Sequence, residues 1–181
     1  MDLYLSLKFL HVTSAMLWLG GGMALLLLGM LRGTASEPER LLGIFEHVVY
    51  LAPRLFLPAS IATLVTGLAA TVVGGHGWPA WIVLGFGGIL VTALLGALKI
   101  GPSAKRVLAE AARGGPTVAF PQAQAVLRIV KFDYVLQFGI VFLMVTKPSW
   151  DDTVPLATVG IAVLMAALSF LLPPGRRLGM G

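Results

Sequence analysis

Residues 7–29 read LKFLHVTSAMLWLGGGMALLLLG, and this run decides the fold. At about 1.5 Å per helical residue it is long enough to cross the ~30 Å hydrocarbon core of a bilayer. Lys8 stands at its edge, and His11 is the ionisable residue inside it. Such a side chain is costly in lipid, so it faces protein, pairs, or binds something. His11 and Trp18 are seven residues apart and share one helix face, which Gly22 and Gly29 continue. That face presents an imidazole, an indole and then a small-residue groove. It can be the wall for a flat, bulky ligand or the seat of a close-packed helix, and the residues leave both open.

Working outward, apolar runs of spanning length recur. They predict membrane helices at about 5–31, 54–73, 80–100, 127–146 and 155–172, within a single integral membrane domain covering 1–181. The chain is 57% hydrophobic and 12% charged, against about 25% charged in soluble domains. The expected fold class is all-α, a polytopic transmembrane helix bundle. The first run is too long for a signal-peptide core and lacks a basic leader.

The net charge of +5 follows topology rather than nucleic acid. Five spans put Arg32, Arg40, Arg54, Lys99, Lys105, Arg106, Arg113, Arg128, Lys131, Arg176 and Arg177 on one side, and only Lys8 and Lys147 on the other. The positive-inside rule makes the first side cytoplasmic. The N-terminus is then outside and the C-terminus inside, with Trp78, Trp81 and Trp150 at the outer boundary as an aromatic belt.

Cysteine is absent, which excludes disulfides, c-type haem attachment and thiolate metal sites. No Walker loop, dinucleotide fingerprint, HExxH or nucleophile elbow occurs. Ser36-Glu37-Pro38-Glu39 reads as a capped helix start. An amphipathic helix over about 37–52 should follow, with Leu41, Leu42, Phe45, Val48, Val49 and Ala52 on its apolar side. Pro53 and Pro58 predict a kink. The longest loop is expected at about 101–125, helical over 103–113, with the fourth span following Pro121.

His11 is the first candidate for chemistry, since neutral imidazole is a common ligand for haem iron. His47 falls at the far end of the second span, roughly 15–20 Å away in depth, so one iron cannot take both. His76 lies in the outer turn. Arg54, Asp133 and Gln137 form a second constellation, because charges inside a membrane usually pair. They can serve as a proton path or a propionate anchor, or as an ion pair that fixes helix register. Met16, Met23 and Met30 recur every seven residues and suggest Cu(I), but they lie roughly 120° around the helix from His11 and Trp18.

The pattern His11-x6-Trp18-x-Gly20-Gly21 resembles the opening helix of HemJ/CopD-like bacterial integral membrane proteins. Arg54-Leu-Phe-Leu-Pro58 with Thr66-Gly67, the turn into Gly77-Trp78, and Met144-Val145-Thr146-Lys147-Pro148 extend the likeness over about residues 4–148. The chain looks closest to an uncharacterised group of that superfamily. The resemblance implies a four-helix core, to which this chain adds a fifth C-terminal span. It also implies a bacterial inner-membrane location and a b-type haem associated with His11. The lysine that HemJ relatives carry early in the third span is missing from residues 81–87, and Lys99 stands at the far end of that span.

Three functional readings follow. The first is a haem b protein for electron transfer or porphyrin redox chemistry, with His11 as metal ligand and Trp18, Gly22 and Arg54 as further cofactor contacts. The second is a copper-handling protein. The third is a non-catalytic subunit or assembly factor of a membrane complex, its glycine faces serving as docking surfaces. The expected partners are membrane lipid and either a second copy or other membrane subunits, with no nucleic acid.

Overall fold

The computed structural model describes residues 2–32 and 37–172, the side chain of Arg32 excepted. It consists of five helical rods and, among the described residues, no strand. Helix α1 (Leu3–Arg32) runs from the end we term upper to the lower end. Helices α2 (Pro38–Leu51) and α3 (Leu57–Val73) form a second rod that returns upward. Helices α4 (Ala80–Leu95) and α5 (Gly101–Gly114) descend as a third. Helix α6 (Pro116–Thr146) rises, and α7 (Thr153–Ala166), prolonged to Leu171, descends last. All five rods are long and apolar enough to cross a membrane.

The second and third rods are 36 and 35 residues long, roughly 54 Å each at the helical rise. They therefore overrun a bilayer core, and the excess is amphipathic α2 and α5. There α2, α5 and the lower part of α6 close a core around Leu41, Phe45, Val107, Ala119, Ala123 and Leu127. The alanines let the helices approach closely. In the upper half, large apolar side chains such as Phe9, Met16, Val72 and Val145 face outward. Such faces are apolar enough to lie in lipid or against another membrane helix. Helix α7 packs on α6, at the margin of a four-helix core made by α1, α3, α4 and α6.

Two sequence expectations change. Residues 101–125 are not a loop. Gly115 alone joins α5 to α6, at φ +86°, a left-handed conformation that glycine adopts without strain. Pro121 lies inside α6, because Ala119 and Ala123 bury a helical face that outweighs the missing N–H. At Pro53 and Pro58, where a kink is expected, the second rod continues. A π-helical turn over Ala52–Phe56, with Leu57 N–H donating to Ala52 O, carries the helix past them. A similar turn over Gly96–Ile100 joins α4 to α5. An inserted π turn shifts the helix face by one residue, so the lipid-facing register of a span can pass into the amphipathic register beyond it. The described α2 begins at Pro38, and the expected Ser36 cap lies outside the described residues.

Candidate functional site

A pocket of about 530 Å³ opens among α1, α3, α4 and α6 in the upper half, within the ~300–1,000 Å³ range of small-molecule sites. Its walls are almost wholly apolar and include Trp18, Ile82, Phe86, Ile140 and Met144. Tyr4, His76, Trp81, Lys8 and Lys147 line its upper end. Gln137 is ten residues below Lys147 on α6, which makes the pocket roughly 15 Å deep.

His11 stands on the pocket wall, seven residues below Tyr4 on α1 and so roughly 10 Å beneath the upper end. Its Nδ1 lies 2.8 Å from the carbonyl oxygen of Thr63 on α3. A carbonyl only accepts, so Nδ1 carries the proton, and in the neutral ring Nε2 keeps its lone pair. This is the arrangement that orients a metal-ligating histidine from behind. The ring fits because position 67 is glycine. A Cβ there would stand 2.8 Å from both Nδ1 and Cε1 of His11.

Gln137 closes the floor. It is 3% exposed, and its Nε2 donates to Asp133 Oδ2 at 2.6 Å. Gln137 Oε1 and Asp133 Oδ1 have no hydrogen-bond partner. A buried orphan acceptor costs about 1–3 kcal/mol, so a donor from outside the protein would satisfy the floor of the pocket.

The candidate residues separate under this geometry. His11 and Trp18 share the pocket wall, and Asp133 and Gln137 are joined below it. Gly22 does not line the pocket. Its place is taken by the Tyr134 hydroxyl, which donates to Leu19 O at 3.1 Å. Gly29 likewise receives Leu127. These two glycines seat α6 rather than a ligand. Arg54 does not meet Asp133. It is exposed in the π turn, donates to Tyr50 O at 3.1 Å and lies over the Tyr50 ring. The expected buried ion pair is therefore absent, and Arg54 is off the pocket. Among the described residues the one ion pair is Arg40 with Glu37.

His47 is exposed and bonds Gly43 O within its own helix. His76 lines the upper end of the pocket and shares a 2.9 Å hydrogen bond with Tyr4. Met16 is 68% exposed although its edge touches the pocket. Among the described residues no three His, Asp or Glu side chains cluster as a metal site. Residue-level reading missed Gly67, Lys8, Lys147 and Met144 as pocket residues. A signal existed for the first. Gly67 lies seven residues from Gly74, which faces Tyr4, the same interval that separates His11 from Tyr4 on the antiparallel helix.

The fold and site define a polytopic integral membrane protein with a ligand-sized pocket between its helices. The chain belongs to DUF2269, a family of predicted integral membrane proteins, whose profile matches residues 5–148. That match spans α1 to α6 and stops before α7. No curated protein and no solved structure matches the chain.

Proposed function

We propose that the pocket binds haem b, whose iron His11 would hold through Nε2, for electron transfer or porphyrin redox chemistry. The observation that carries this reading is the Nδ1–H bond to Thr63 O, which leaves a lone pair on a pocket-facing imidazole. The volume, the apolar walls and the aromatic surfaces of Trp18, Trp81 and Phe86 support it. Haem would supply the redox chemistry, while the protein supplies orientation and exclusion of water. His11 would hold the iron from its Thr63-fixed position. Trp18 and the flanking apolar residues would exclude water, and Gln137 with Asp133 would receive a proton or a donor group at the floor.

The test is the visible spectrum of purified protein, oxidised and dithionite-reduced, beside metal analysis. A stoichiometric Soret band with iron is expected. Copper without a chromophore would favour the second reading, for which the shared pocket position of His11 and the Met144 thioether speaks. Neither chromophore nor metal would overturn both and leave a subunit role.

We further propose a bacterial inner-membrane location with the upper end outside. The supporting observation is the charge distribution among the described residues, nine Lys/Arg toward the lower side and two toward the upper. A reporter fused after Gly181 should report the cytoplasm, and a periplasmic signal would reverse the assignment.

A further inference from the structure

The two upper-side cations are far apart in sequence, yet both line the upper end of one pocket. Lys8 is on α1 and Lys147 ends α6, and the pocket lining includes both and no Asp or Glu. Of the upper-side acids Asp2, Asp151 and Asp152, none lines the pocket, and two are bonded elsewhere. Asp2 accepts from Tyr4 N–H at 3.1 Å. Asp152 accepts from the Ser149 N–H at 2.7 Å and hydroxyl at 2.9 Å. Those bonds hold its carboxyl below the usual carboxylate range.

Lys147 carries a second signal. Its φ of 49° and ψ of 51° are left-handed, and among the described residues it is the one non-glycine at positive φ. Glycine would take that conformation without strain. A lysine held there, with Nζ 5.6 Å from the Trp81 ring centre, points to a use for its charge. At the other end, the orphan Gln137 Oε1 shows a floor that the protein does not complete by itself.

We infer that this pocket takes an amphipathic carboxylic acid, its apolar body among α1, α3, α4 and α6 and its carboxylate at the rim between Lys8 and Lys147. The inference goes beyond the cofactor reading and stands without it, because it requires no iron. Two sources share this chemistry, a tetrapyrrole bearing carboxylate side chains and a long-chain fatty acid. Lys8 and Lys147 select the charged end, and the apolar walls accept the body. The ligand would enter from the upper end, where the rim residues meet the aqueous boundary.

The experiment uses the full chain in nanodiscs of zwitterionic lipid. Quenching of tryptophan fluorescence, reported by Trp18 and Trp81, is read for two metal-free probes, protoporphyrin and cis-parinarate. Each is compared with its methyl ester. The wild type should prefer at least one acid over its ester by roughly ten-fold, the scale of two partly screened ion pairs. Raised salt should narrow the preference. It should vanish in the variant Lys8→Gln with Lys147→Gly, while ester binding persists. The glycine relieves the left-handed strain, so folded yield should hold. The probe that shows the preference identifies the source. Equal binding of acid and ester, a preference that survives the double variant, or no binding of either acid would overturn the inference. The probes carry no iron, so these outcomes are separate from the Soret result.

Discussion

On the proposed haem reading, replacing His11 by alanine should abolish the Soret band, or shift it strongly, while leaving the protein in the membrane. The side chain is a wall residue of the pocket, not a support of the buried lower core, so its removal spares α2, α5 and α6. Gly67→Ala is the sharper companion, because it never touches the imidazole chemically. Its methyl would arrive 2.8 Å from Nδ1 and Cε1, where the ring now donates to Thr63 O. The ring must turn away, which loses the bond that fixes its tautomer. Disturbing such an orienting partner typically costs about 10–100-fold in metal affinity, and a loss of that size is expected in a haem titration. His47→Ala should change nothing measurable, since His47 is exposed on α2 and bonded within its own helix. Unchanged spectra in both His11→Ala and Gly67→Ala would defeat the ligand assignment.

The membrane fold was legible because apolar length and cation placement are one-dimensional signals. The amphipathic α2 was legible for the same reason, and its apolar residues Leu41, Leu42 and Phe45 are buried as their spacing required. What lay beyond periodicity was partner choice. Residues 116–125 read as part of a loop because Gly115, Pro116 and Pro121 are local breakers. Their helix is stabilised by Ala119 and Ala123 packing into a core that no local window reveals. His11 and Trp18, seven residues apart, both line the pocket. Gly22, on the same face, meets the Tyr134 hydroxyl instead, since a helical wheel names a face and not the neighbour that fills it. Arg54 and Asp133 seemed paired by depth, but Arg54 lies in the π turn with its guanidinium on Tyr50. Asp133 and Gln137, four residues apart on one helix, were within reach of local reasoning and do bond.

Gly22→Ala should destabilise the bundle, and Tyr134→Phe should rescue much of that loss. The Tyr134 hydroxyl sits where a Cβ at position 22 would go, so alanine collides with one oxygen atom. Overpacking of this kind costs about 1–3 kcal/mol. Tyr134→Phe by itself forfeits the hydrogen bond to Leu19 O, about 1 kcal/mol. Once the hydroxyl is gone, the nearest ring atom to the new methyl is Cζ at 3.5 Å, an ordinary contact. Alanine also favours helix over glycine by about 1 kcal/mol. The double variant should therefore be about as stable as Tyr134→Phe, with a coupling of opposite sign to the single losses. Thermal unfolding of the purified protein, read by monodispersity on size exclusion, measures all four corners of the cycle. Additive losses would show that the hydroxyl does not occupy the glycine notch. Wild-type stability in Gly22→Ala, accompanied by weakened ligand binding, would return Gly22 to the pocket and make that face a ligand groove after all.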